Sequence, residues 1–120
     1  MKRWMIWIVF IVFVPVVTSY ASSLENQYSF KMTVIMDGKE YEWEYANPDE
    51  YEFEKGSRVI KGKEAENKVK MIYQLINVSK KTKVEDMVDA LKRHGYKNID
   101  ALDVRVINSD EELYTWVWRK

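Results

Sequence analysis

The chain of 120 residues contains no cysteine. It can form no disulfide, offers no thiol nucleophile and has no site for a lipid-modified cysteine. It has a single histidine, His94. A Ser-His-Asp relay would have to use that residue, and a zinc site of the usual kind needs several His or Cys ligands. An excess of charge of either sign is also missing, with 19 basic against 19 acidic residues. That balance gives no support for nucleic-acid binding. No P-loop, GxGxxG, HExxH or GxSxG pattern occurs, so neither a catalytic motif nor a cofactor is expected. Long apolar runs are missing too, save one.

That run opens the chain. Met1, Lys2 and Arg3 precede an uninterrupted apolar stretch, Trp4 to Val17, with Pro15 near its end. A helix over residues 4–17 spans roughly 21 Å, short of the ~30 Å hydrocarbon core. Ser19-Tyr20-Ala21 follows with a small-x-small pattern, and Ser22 comes next. The layout predicts a secretory signal peptide over residues 1–21, cut between Ala21 and Ser22. A retained N-terminal anchor is the alternative. Lys2 and Arg3 would then keep the N-terminus inside and place the domain outside, with membrane contact only through residues 4–20. Residues 22–27 read as a polar spacer, and residues 28–120 as one domain.

Charge is segregated along that domain. Residues 37–54 carry eight acids and one base, Lys39, whereas residues 55–83 carry nine bases and two acids. The two blocks either face each other or give the domain two faces of opposite sign.

The most secure local element is a hairpin. Tyr28, Phe30, Met32, Val34 and Met36 alternate with polar residues up to Asp37-Gly38, a strong two-residue hairpin signal. Tyr41, Trp43 and Tyr45 then alternate with Glu40, Glu42 and Glu44. The turn pairs Met36 with Lys39, which sets Val34 opposite Tyr41, Met32 opposite Trp43 and Phe30 opposite Tyr45. A slip of one residue would destroy the match.

Asn47-Pro48-Asp49 predicts a turn, and Tyr51 to Glu54 a short third strand. Lys55 to Lys63 reads as a crossover loop with room for a brief strand at Arg58–Ile60. Glu64 to about Val78 has a helical stripe in Ala65, Val69, Ile72 and Ile76. A second helix starts at an N-cap Thr82 with Glu85 completing a capping box, and Gly95 ends it. Leu102, Val104 and Val106 alternate in a strand, and Leu113 to Trp118 close the chain in another. A three-residue connection sets Val106 opposite Tyr114, Val104 opposite Trp116 and Leu102 opposite Trp118. The order ββ(β)ααββ predicts an α+β fold, an antiparallel sheet of four or five strands with two helices packed on one face.

Three features bear on chemistry. Glu40, Glu42 and Glu44 form an acidic row on one strand, with Glu52 and Glu54 nearby. The row suits a cation or a basic partner, or is a solvated sheet face. Calcium sites usually come from loops that wrap the ion, so no metal site is expected. Tyr41, Trp43, Tyr45, Tyr114, Trp116 and Trp118 either line a surface for sugar rings or form the core. Their pairing with aliphatic residues favours the core, with Trp118 the most exposed of the set. His94 beside Gly95 suits a charge at a helix C-terminus.

The expectation is a small exported, bacterial-type domain at the cell envelope, a non-enzymatic binding or accessory protein. Its binding face would be Glu40, Glu42 and Glu44, or Trp118, and its partner a protein or an envelope component. The alternatives are a membrane-tethered regulatory subunit and a small secreted hydrolase that works with paired carboxylates.

Overall fold

The structure is a computed structural model that describes residues 23–120. The segment read as a signal peptide or anchor, and the Ala21–Ser22 cleavage point, lie outside the described residues. Among the described residues six strands form one antiparallel sheet: β1 (Gln27–Met36), β2 (Lys39–Ala46), β3 (Glu50–Lys55), β4 (Arg58–Lys61), β5 (Ile99–Asn108) and β6 (Leu113–Arg119). Their order across the sheet is β4-β3-β2-β1-β5-β6. Helices α1 (Gly62–Leu75) and α2 (Val84–Arg93) lie between β4 and β5 in sequence. Among the described residues no helix is long and apolar enough to cross a membrane.

The first hairpin has the register that its alternation demands. Met36 pairs with Lys39, Val34 with Tyr41, Met32 with Trp43 and Phe30 with Tyr45. Asp37 and Gly38 hold φ at 51° and 73°, the left-handed values of a turn whose twist matches its strands. The last hairpin also follows the predicted three-residue connection, with Val106 opposite Tyr114, Val104 opposite Trp116 and Leu102 opposite Trp118. The brief strand within the crossover segment is β4, paired with β3.

These registers place most of the apolar positions on one face, with Ile35, Val59, Leu113 and Val117 exposed on the other. Phe30, Met32, Val34, Leu102 and Val104 are fully buried on the first face, together with Val69 and Ile72 of α1 and Met87 and Leu91 of α2. Each such side chain contributes about 1.5–3 kcal/mol of burial. Phe30 meets the Tyr73 ring edge-on at 5.1 Å between centroids, which ties β1 to α1. The Trp116 indole N–H donates to the Thr82 carbonyl at 2.8 Å, which ties β6 to the segment before α2.

Three local expectations are corrected. Tyr28 is not inward but 58% exposed, and Gln27 is buried in its place. The β1–β5 register shifts between Gln27 and Ser29, and that irregularity turns the side chains over at the end of the strand. Thr82 is not the cap of α2. Lys83 holds that position with no side-chain cap, and the Thr82 hydroxyl donates instead to the Asn77 carbonyl at 2.6 Å. The long-range bond from Trp116 to Thr82 holds Thr82 one residue ahead of the cap position. The first helix starts earlier and ends earlier than its stripe suggests, although Ile76 and Val78 beyond its end are still buried. At the other end of α2, Gly95 (φ 91°) donates to Lys92 and Tyr96 donates to Leu91, the bond pair of a Schellman cap. His94 Nδ1 lies 2.9 Å from the Ala90 carbonyl, a structural role at the helix end.

Candidate functional site: the uncovered face of the sheet

The alternation that buries one face of the sheet sends Lys31, Thr33, Glu40, Glu42, Glu44, Glu52, Glu54, Asp103 and Arg105 to the other. Among the described residues no helix packs on that side. Two rows cross it through the strand ladders. One runs Lys61, Glu52, Glu44, Lys31, Arg105, Thr115, and the other runs Val59, Glu54, Glu42, Thr33, Asp103, Val117. Most of the acids therefore gather on β2 and β3, with Asp103 on β5, and the bases flank them, Lys61 on β4 to one side and Lys31, Arg105 and Arg119 on β1, β5 and β6 to the other.

The two rows are balanced differently. In the first, bases flank the acidic pair on both sides. The second has no base at all, and Glu54 stands directly opposite Glu42. Glu42 is relieved by Lys31, whose ammonium lies 3.0 Å from its carboxylate. That hydrogen bond also holds the Lys31 pKa above its ordinary value of 10.5. Among the described residues no salt bridge of this kind reaches Glu54. A hydrogen bond shared with Glu52, then partial burial, then the charge of Glu42 push its carboxyl above the usual 4.5. Like charges directly opposite in a ladder are destabilising, so this corner of the sheet stores repulsion.

The surface is not flat. Thr33 and Ala101 floor a shallow depression of about 300 Å³ in the middle of the face, rimmed by Glu40, Asp103, Arg105 and Arg119. A larger groove of about 580 Å³ runs from Glu44 and Glu52 to Lys61, Lys63 and Glu66 at the start of α1. Within it Lys63 donates to Glu66 at 2.7 Å and holds that carboxyl below its ordinary value. A hydrolase built on carboxylates needs an acid of raised pKa inside a cleft. Here the raised acid, Glu54, lies on the open sheet and is no part of the groove. Among the described residues no cluster of His, Asp and Glu is arranged to hold a metal ion.

The four residues singled out from sequence separate into two places. Glu40, Glu42 and Glu44 share the uncovered face. Trp118 points to the opposite side, half-buried against the core, with the Lys92 ammonium 5.7 Å from the centre of its ring. It shares that side with Trp43 and Tyr45, which are core residues, and with Tyr41 and Trp116, which pack against the core. The aromatic set is thus structural in the main and forms no sugar-stacking platform on the acidic face.

The structure adds two features to those read from the sequence. One is the direct opposition of Glu52 and Glu54 to the β2 acids, which extending the β2 register through the Asn47–Asp49 turn would have revealed. The other is a cleft of about 280 Å³ beside β6, walled by Val78, Val106, Tyr114 and Trp116 with Lys80 at its edge. Lys80 stacks over the Tyr114 ring at 5.3 Å, a long-range contact with no sequence signal. No known protein family, curated protein or solved structure matches this chain.

Proposed function

We propose that this chain is a small exported, bacterial-type, non-enzymatic binding or accessory domain of the cell envelope. It holds a basic segment of a partner protein on the β2–β3 half of its uncovered sheet face. The observation that supports this reading is the crowding at Glu54. The row through Glu54 and Glu42 contains no base, and the Glu54 carboxyl is pushed above its ordinary value by its acidic neighbours. An arrangement that costs stability when the domain is alone is relieved when cationic groups of a partner cover it. Arg105 and Arg119, across the depression, repel the same segment and fix where it can lie.

The test is a photocrosslinking amino acid placed at position 40 or 54 of the full chain in its native envelope, with position 71 of α1 as the control site. Adducts with one basic protein from positions 40 and 54 alone are expected. The affinity of that protein should then fall steeply between low and physiological salt, and further with Glu42, Glu52 and Glu54 all changed to Gln. Absence of adducts from the sheet face, or an affinity indifferent to salt, overturns the reading.

A further inference from the structure

The two edges of the sheet differ in how they meet a potential partner strand. β4 is four residues long and carries Arg58 and Lys61, two of the features that discourage further pairing. β6 has seven residues, Leu-Tyr-Thr-Trp-Val-Trp-Arg, with no proline, no bulge in its pairing with β5 and no charge before Arg119. It is apolar on both sides. Tyr114, Trp116 and Trp118 face the helices, while Leu113 and Val117 are 61% and 52% exposed on the other side. Among the described residues only β5 pairs with it.

The backbone shows which groups the open edge presents. Asn108 N–H donates to the Glu112 carbonyl and Lys120 N–H donates to the Asp100 carbonyl, both at 3.0 Å. These bonds lie at the two ends of the β5–β6 ladder. Successive residues of an antiparallel strand turn their N–H and C=O groups alternately to either side. Tyr114, Trp116 and Trp118 therefore bond to β5, whereas Leu113, Thr115, Val117 and Arg119 turn theirs outward.

We propose that the chain forms a symmetric homodimer in which β6 pairs antiparallel with β6 of a second copy, about a two-fold axis at Trp116. The occupant is argued from self-complementarity. Residue 116 is the midpoint of Leu113–Arg119, so this register overlaps the strands over their whole length. It sets Thr115 opposite Val117 of the second copy, and Leu113 opposite Arg119, so every outward N–H and C=O of β6 finds a partner. It also sets Tyr114 opposite Trp118, and Trp116 opposite itself, at the closer spacing where aromatic cross-strand pairs are favourable. At both ends Glu112 meets Lys120 of the second copy. A shift of two residues in either direction shortens the overlap and separates that charge pair. The two sheets become one, and the acidic faces of both copies lie on the same side. This interface uses the sheet edge and stands independently of the partner proposed for the acidic face.

The experiment is sedimentation of the full chain in density-matched detergent, with three variants. The parent chain is expected as a dimer. Val117→Pro removes a single outward N–H that the β5–β6 ladder does not use, so the fold persists by circular dichroism while the dimer is lost. Lys120→Glu sets like charges against each other at both ends and raises the dissociation constant about fivefold to tenfold. Glu112→Lys combined with Lys120→Glu restores opposite charges and returns the dissociation constant towards that of the parent. A monomeric parent chain, a dimer that survives Val117→Pro with its fold intact, or a double variant no tighter than Lys120→Glu alone overturns the proposal.

Discussion

The repulsion at Glu54 makes a quantitative forecast. Directly opposite side chains in an antiparallel pair have Cβ atoms about 4.5–5.5 Å apart, which sets the Glu54 and Glu42 carboxylates about 6 Å apart in their ordinary rotamers. At the dielectric constant of water, two unit charges at about 6 Å repel by about 0.7 kcal/mol. Glu52, whose carboxyl shares a hydrogen bond with that of Glu54, adds at least as much, and flexibility of the exposed chains reduces both. Replacing Glu54 with Lys removes the repulsion and introduces attraction, which gives a net stabilisation of about 1 kcal/mol at low salt. For a domain of this size that is a rise in Tm of about 4–8 °C. In about 0.5 M salt the Debye length falls to about 4 Å, below the separation in question, and less than half of the gain should remain. The pH dependence has a definite sign. The Glu54 pKa is raised in the folded state, so the folded chain binds this proton more readily than the unfolded one. That contribution is complete below the ordinary value of 4.5 and is lost as pH rises through the raised value. A Glu54→Gln variant should accordingly match the parent in acid and exceed it at neutral pH. Thermal melts at two salt concentrations and a series of pH values provide the assay. Glu54→Lys that leaves Tm unchanged or lowers it at low salt, or a gain that is equal at high salt, would refute the reasoning.

Other consequences follow from the core and its ties. Phe30→Ala opens a cavity under Tyr73 in the middle of the sheet and should cost about 3–5 kcal/mol in urea unfolding, enough to bring the domain close to its threshold. A double-mutant cycle of Phe30→Leu with Tyr73→Leu should return a coupling of about 0.5–1.5 kcal/mol; additive effects would show that the edge-on contact adds nothing to burial. Trp116→Phe keeps an aromatic ring but loses part of the indole packing and leaves the Thr82 carbonyl without its 2.8 Å donor, and should cost about 1 kcal/mol or more, with faster amide exchange in the segment before α2. Gly38→Val forces a branched side chain into φ 73° and should destabilise by about 1 kcal/mol or more, whereas Ser57→Ala in the neighbouring β3–β4 turn should be near neutral.

Much of this architecture is legible in the sequence because it rests on local periodicity. The alternation on both sides of Asp37-Gly38 admits one register, since any slip of one residue would carry Phe30, Met32 and Val34 into water. The same logic selects the connection after Asn108, where three residues keep Tyr114, Trp116 and Trp118 on the apolar side. Composition alone excludes disulfides, thiol chemistry and a histidine-rich metal site. The acidic row of β2 can be read directly from Glu40, Glu42 and Glu44.

Tertiary structure decided what these elements meet, because contacts between residues distant in sequence leave no periodic trace. Thr82 has the local pattern of a cap, yet bonds to Asn77 and Trp116 draw it into another role. Tyr28 continues an apolar alternation, yet a register shift against β5 turns it outward and buries Gln27. Trp118 and the glutamates were equally plausible binding residues in sequence, and the pleat of the sheet separates them onto opposite faces. Glu54 is one acid among many until the β2–β3 pairing sets it against Glu42 in a row without a base. Whether an edge strand is protected or open depends on its place in the strand order. That place follows from how the two helices carry the chain from one edge of the sheet to insert β5 beside β1.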